Sequence, residues 1–312
     1  MNQLRLDGRV ALVTGSGRGL GRAYAMLLAE RGASVVVNNR IRPGSEDPRP
    51  VADEVVEAIE ATGGTATGNY GDVGTQAGAE SIVKTALDAF GRIDVVVNNA
   101  GIVQFYKFDA YPDQEFDHMV AIHLRGTWFV TKAAWPHLKA HGYGRVVNTV
   151  SRGAFFGDPQ GAAYASSKGG IYSMTRALAV EGSVLGIRVN AISPTAWTPL
   201  YARAPDVPAE RRKVLEENFQ PELVAPVVVA LAHESCPFNG EVFGAAGGHV
   251  SRFYMAQTKG IQVGPEFTAE LFYERLPDIW SEDEYIAIGL VSAEQRAQGT
   301  PVAEIPVQAR RA

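Results

Sequence analysis

Short apolar runs and longer amphipathic stretches alternate along the chain. Runs rich in β-branched residues fall at positions 10–13, 34–38, 95–98, 145–149 and 188–192. A weaker run of similar length covers 65–70, and 242–244 is a candidate closing strand. Most are apolar throughout instead of alternating, as expected of strands with helices on both faces. Between them the 3.6-residue period predicts helices over 20–31, 51–61, 76–90, 115–141, 162–182 and 221–233. Gly32, Gly63 and Gly91 punctuate the ends of three of these. Repeated strand–helix alternation predicts right-handed crossovers and an α/β fold with a doubly wound parallel sheet.

Two stretches break the pattern. Residues 40–50, rich in proline and charge, read as an exposed loop after the second strand. From residue 251 onward strand signals are few, and 267–273 and 282–290 read as short helices. The chain therefore divides into a main domain over 1–250 and an extension over 251–312, packed on that domain or on an adjacent subunit. No internal repeat or low-complexity tract is visible.

Composition narrows the class. With 46% apolar residues, 312 residues can bury a core, which argues against general disorder. A formal charge of −5, with scattered Lys and Arg, argues against a nucleic-acid surface. The single cysteine, Cys236, cannot form an intrachain disulfide and reads as a small buried apolar residue. The N-terminal residues lack a long apolar stretch after a basic start, and the apolar runs are too short to span a bilayer. No Ser-Lys-Leu tripeptide closes the chain. The expectation is a cytoplasmic protein with no membrane or nucleic-acid partner. The six histidines are dispersed, so no metal is expected.

Candidate chemistry begins where the first strand runs into Thr14-Gly15-Ser16-Gly17-Arg18-Gly19-Leu20-Gly21 and a helix follows. Glycines there let backbone turn tightly and approach a pyrophosphate, which the helix N-terminus then attracts. Strand before and helix after make this otherwise weak pattern specific for a dinucleotide. An acid about 20 residues on would hold the ribose 2′-hydroxyl of NAD. Asn39 occupies that place, Arg40 follows, and Arg18 lies inside the loop. Two cations without a carboxylate suit a 2′-phosphate, so NADP(H) is favoured, with NAD(H) as the alternative. Asp72-Val73 follows the third strand and is placed to meet the adenine edge. Asn98, Asn99, Ala100 and Gly101 end the fourth strand, where amides and small residues can meet the cofactor and tie neighbouring strands together. Ordinary turn chemistry accounts equally well for either group taken alone.

Tyr164 and Lys168 stand four apart in a helical pattern and so share a face. A nearby ammonium favours the phenolate, which predicts a lowered Tyr164 pKa and proton exchange near neutral pH. Ser151 ends an apolar strand, the position where sites form in such sheets, and can hydrogen-bond a carbonyl. Alone, each has a bland reading: a surface pair and a turn serine.

Together, the 14–21 loop, residues 98–101, Ser151, Tyr164 and Lys168 resemble the short-chain dehydrogenases/reductases over about residues 8–250. The resemblance implies a Rossmann-type domain, a Ser151, Tyr164 and Lys168 triad, and Lys168 on the nicotinamide ribose. It further implies cofactor contacts from Pro194, Thr195 and Thr198, and a homodimer or homotetramer. The helices over 115–141 and 162–182 are candidate interfaces. A narrower similarity, carried by 21–25, 84–101, 123–126 and 233–236, is to the dehydrogenase part of type 2 peroxisomal multifunctional enzymes. It implies 3-hydroxyacyl-CoA and 3-ketoacyl-CoA thioesters as substrates.

Three positions depart from these patterns. His123 stands where the wider family has a relay asparagine; the favoured reading is a satisfied buried histidine, the alternative a residue that bonds backbone and water to carry protons. Asn39 replaces the acid of the narrower group, and no glycine follows Pro194. Trp128 and Trp135 read as packing residues on one helical stripe, while Trp197 is a candidate substrate contact. A hydroxysteroid or other secondary-alcohol dehydrogenase is a second reading, suited by Phe155, Phe156 and Trp197. A catalytically silent nucleotide-binding protein is a third, against which the intact triad argues.

Overall fold

The structure, a computed structural model, describes residues 3–41, 50–203 and 208–290. The chain divides into two compact units, one through Arg252 and one from Phe253. In the first unit the order is β1 (Val10–Thr14), α1 (Gly19–Glu30), β2 (Ser34–Asn38), α2 (Val51–Ala61), β3 (Thr65–Asn69), α3 (Gln76–Phe90) and β4 (Val95–Asn98). There follow α4 (Asp113–Val120), α5 (Gly126–Ala140), β5 (Gly144–Thr149), a short α6 (Gly153–Phe156), α7 (Ala162–Gly182) and β6 (Ile187–Thr195). Then come α8 (Ala209–Asn218), α9 (Ala225–Ala232), β7 (Val242–Ala246) and β8 (His249–Phe253).

The strands form one sheet in the order β3-β2-β1-β4-β5-β6-β7-β8. Pairings from β3 to β7 are parallel, with Leu12 opposite Val36 on one side and Val96 on the other. Strands β1 and β4 are wholly buried, which explains their unbroken apolar sequences. The core on one face joins Leu28, Val35, Val37, Ile59, Val224 and Val228. The chain reverses direction across the sheet between β1 and β4, so the crevice at their carboxyl ends is where a ligand fits.

Several sequence expectations change. The helix expected over 115–141 is interrupted by a turn of π-helix at Ala121–Arg125, where the extra residue turns His123 inward to 1% exposure. On α5 the buried positions are Gly126, Thr127, Val130, Thr131, Ala134 and Leu138, so Trp128 lies on the opposite face and is 50% exposed, not packed. The pattern over 221–233 resolves into a 3-10 turn at Pro221–Leu223 and then α9. Sequence signals missed α6, α8 and β8. Strand β8 follows β7 through Gly247 and Gly248, both at positive φ, which a tight hairpin turn requires of both central residues. Most of the 40–50 loop lies outside the described residues.

The second unit contains β9 (Ala256–Thr258), α10 (Ala269–Glu274), α11 (Leu276–Trp280) and β10 (Tyr285–Ala287). The helix expected over 267–273 is α10, capped by Thr268, whose Oγ1 accepts the Leu271 N–H at 3.2 Å. That expected over 282–290 is instead β10, paired antiparallel with β9, because the pair satisfies backbone that so short a helix would leave open. The remainder of the extension, 291–312, lies outside the described residues.

Candidate active site

The site is built from the carboxyl ends of the strands. Thr14, the last residue of β1, accepts the N–H of Asn99 at 3.0 Å and of Ala100 at 3.1 Å through Oγ1. In return Asn99 Nδ2 donates to the carbonyls of Thr14 (2.9 Å) and Gly15 (3.1 Å). These bonds clamp the glycine loop onto the turn after β4. Gly15 sits at φ +64°, and a Cβ there would lie 2.8 Å from the Ala100 Cα, so no side chain fits. Ser16 is fully buried and donates to the Val13 carbonyl at 2.7 Å, which shapes the loop from beneath. Helix α1 then opens with no acidic residue in its first turn and no side chain capping it. The N–H groups of Gly19, Leu20 and Gly21 are left to an external anion, aided by the helix dipole. This cradle fits the pyrophosphate of a dinucleotide.

Farther along the crevice, a Cβ on Gly17 would lie 3.0 Å from the Asn39 Cγ, so the amide of Asn39 is packed directly over the glycine loop. The Asn39 N–H is held by the Asn69 carbonyl at 3.0 Å, and its side chain donates to the Arg40 carbonyl at 3.2 Å. Arg40 Nη1 lies 3.0 Å from Asp72 Oδ2, while Asp72 Oδ1 accepts the Gly74 N–H at 2.9 Å. Val73 is buried against Gly126 at the start of α5. Arg18 is exposed, and among the described residues its side chain has no partner.

Beneath the other end of the crevice runs a buried polar chain in which Asn98 ties neighbouring strands together, as expected of the 98–101 amides, while its partners Asn148, Thr131 and Thr175 were not singled out by the sequence. Asn98 and Asn148 face each other in register across β4 and β5. Asn98 Nδ2 donates to Thr131 Oγ1 and to Asn148 Oδ1, both at 2.9 Å, and Asn148 Nδ2 donates to Thr175 Oγ1 at 2.9 Å. The chain ties α5 through two strands to α7, so the helices carrying His123's neighbours and Tyr164 are fixed to the sheet. Asparagines inside otherwise apolar strands were the available signal.

Ser151 follows β5, and its Oγ accepts the Gly153 N–H at 3.2 Å. From the first turn of α7, Tyr164 comes near enough to Ser151 for that hydroxyl to act on the phenol's proton affinity. One turn deeper, Lys168 is 3% exposed and donates to the Thr149 carbonyl at 2.7 Å. Burial pushes the Lys168 ammonium down to about 7. Burial also raises the Tyr164 phenol above its ordinary value; the Ser151 hydroxyl pulls it down, and the Asp158 carboxylate pushes it up again. The expected lowering by Lys168 is therefore replaced by a net rise. Lys168, turned to Thr149, is brought down to about 7 by burial and so has lost its charge at the higher pH where the buried phenol titrates. Asp158, also missed, folds back over Gly153 beside Ser151, and no local sequence signal marks it.

His123 stacks edge-on to Tyr164, with ring centres 5.3 Å apart. Its Nε2 lies 2.7 Å from the Ile102 carbonyl, while Nδ1 is buried without a partner. Burial first, then Lys168 and His118, hold its pKa well below the usual value, against a smaller opposing effect of the Ile102 hydrogen bond. The imidazole is thus neutral and half satisfied. Gly101 must be small because a Cβ would lie 2.6 Å from the His123 ring. Beyond β6, whose last residues are Pro194 and Thr195, Thr198 packs on Gly19: a Cβ there would be 3.1 Å from Thr198 Cγ2. The Trp197 N–H donates to the Phe219 carbonyl at 2.7 Å, and its ring lies 5.9 Å from that of Tyr201. No helix among the described residues is long and apolar enough to cross a membrane.

The profile of a family described as short chain dehydrogenase matches residues 9–203. The peroxisomal multifunctional enzyme type 2 of Mus musculus is 44% identical over 263 residues, covering 82% of this chain and 34% of that protein. The peroxisomal hydratase-dehydrogenase-epimerase of Neurospora crassa is 43% identical over 233 residues, covering 74% of this chain and 24% of its own length. The chain thus spans about a third or less of these two relatives. A short chain dehydrogenase from Mycobacterium avium superposes with a TM-score of 0.76 at 32% identity, covering 92% of this chain and 98% of that one. The chain belongs to the short-chain dehydrogenase family and is an NAD(P)-dependent oxidoreductase.

Proposed function

We propose that the chain interconverts a secondary alcohol and a ketone on 3-hydroxyacyl-CoA and 3-ketoacyl-CoA thioesters, with NADP(H) favoured over NAD(H). The observation that carries the chemistry is the convergence of Ser151 after β5 with Tyr164 and the buried Lys168 one turn apart on α7, beside the pyrophosphate cradle. The thioester assignment rests on the similarity to the mouse and Neurospora crassa proteins, and the NADP(H) preference on Asn39, Arg40 and Arg18.

When bound, the nicotinamide gives or accepts the hydride. The chain's own residues manage the proton and the oxygen. Tyr164 Oη gives its proton to the ketone oxygen during reduction and takes it back during oxidation. Ser151 Oγ donates to the same oxygen and stabilises the negative charge that develops there. Lys168 holds the nicotinamide ribose one turn from the phenol. Gly15, Gly19, Leu20 and Gly21 shape or line the phosphate cradle, while Ser16, Asn99, Ala100 and Gly101 fix its walls. Asp72 and Val73 flank the adenine, and Pro194, Thr195 and Thr198 close over the nicotinamide side.

A comparison of kcat/KM for 3-ketoacyl-CoA thioesters, 3-ketosteroids and simple ketones tests the substrate class. Preference for thioesters supports the reading; a steroid preferred by tenfold or more would replace it. We further propose a homodimer or homotetramer whose contact includes the exposed Trp128 on α5.

A further inference from the structure

The two cations beside the glycine loop are not equivalent. Arg18 is exposed and has no side-chain partner among the described residues. Arg40, one residue beyond Asn39 after the end of β2, is held by Asp72 at 3.0 Å. Asp72 is itself fixed from the other side by the Gly74 N–H at 2.9 Å, so its carboxylate is a positioned charge and not a loose one. It projects from the loop after β3, the strand beside β2. Asn39 between them carries no charge and is packed over Gly17.

We propose that Asp72 is a determinant of cofactor choice, acting through Arg40: their ion pair limits the preference for NADPH over NADH. The inference rests on the cofactor reading above. A 2′-phosphate brings close to two negative charges, and it gains most from a guanidinium free to meet it with two N–H groups. In this chain that guanidinium already has a carboxylate partner. The phosphate must therefore share Arg40 with Asp72 or displace it, and it approaches a like charge in doing so. NADH presents only a ribose hydroxyl there and meets no such opposition. The pair thus moderates a site that Asn39 and Arg18 otherwise bias toward NADP(H), and keeps NAD(H) usable.

The test is a binding measurement that needs no turnover. NADPH and NADH are titrated by fluorescence against the wild type, Asp72→Asn, Arg40→Ala and the double variant. Asparagine retains an oxygen for the Gly74 N–H and removes only the charge. Asp72→Ser, which also keeps an oxygen acceptor, guards against a misfolded asparagine variant. The ratio of NADPH to NADH affinity is expected to rise about fivefold in Asp72→Asn, in line with loss of a partly exposed charge interaction. It is expected to rise likewise in Asp72→Ser, and the effect should be lost in the Arg40→Ala background. Adenosine 2′,5′-bisphosphate against 5′-AMP should show the same pattern. An equal change for both cofactors, or the same rise with and without Arg40, would overturn the role of the pair and leave the cofactor site standing. Failure of the wild type to bind either cofactor would overturn both.

Discussion

Lys168 Nζ donates to the carbonyl of Thr149 at 2.7 Å, which fastens the second turn of α7 to the end of β5, two residues before Ser151. The bond helps set Tyr164 against Ser151, since Tyr164 issues from α7 and Ser151 follows β5 by two residues. It also holds an ammonium in a place where burial brings its pKa to about 7. Geometry and proton affinity at this site therefore have a common origin in one buried contact.

That origin has a measurable linkage. In the unfolded chain a lysine titrates near 10.4, roughly three units above the folded value. Between the two, unfolding takes up a proton, so Lys168 destabilises the fold fully below about pH 7. This penalty is relieved as pH rises toward about 10. The melting temperature of the wild type relative to Lys168→Met is expected to climb across that window. A difference that stays flat from pH 7 to 10 would contradict the depressed value.

Asp158 pushes the Tyr164 phenol upward. Alcohol oxidation requires the phenolate, so its rate rises with pH through the tyrosine's pKa. Removing the charge in Asp158→Asn is expected to move that rise to lower pH without changing the shape of the profile. Profiles of kcat/KM for oxidation check this, and an unmoved limb would place Asp158 outside the field felt by Tyr164.

Gly15 combines positive φ with a Cβ position 2.8 Å from backbone. Gly15→Ala is expected to cost about 1–3 kcal/mol of stability in a denaturant melt. It should also weaken NADPH binding at least about tenfold, because the loop must shift away from Ala100.

Much of this was legible in the sequence, and the failures have physical causes. Strands β1, β2 and β4 announced themselves because burial on both faces demands unbroken apolar runs. Ser151, Tyr164 and Lys168 were found because strand ends and the four-residue helical spacing place them by simple geometry. The π turn that buries His123 was not legible: the imidazole it turns inward meets Ile102 and Tyr164, contacts from distant segments. The Asn98–Asn148 pair needed the strand register, which local sequence does not carry. The direction of the Tyr164 shift differs from the sequence expectation because sequence shows the lysine's nearness but not the burial that raises the phenol and lowers the lysine.

The exposed Trp128 on α5 offers a simple check of assembly. Trp128→Glu is expected to lower the mass seen by light scattering to that of a smaller species, since a buried charge at an interface is costly. An unchanged mass would remove this residue from the contact.

The most direct test of the central claim is the rate of NADPH oxidation with acetoacetyl-CoA by the wild type and by Tyr164→Phe, with NADPH binding measured in both. Expected are turnover by the wild type, a loss of about a thousandfold in the variant, and unchanged cofactor binding. Turnover by Tyr164→Phe within a few-fold of the wild type would show that the phenol does not carry the proton.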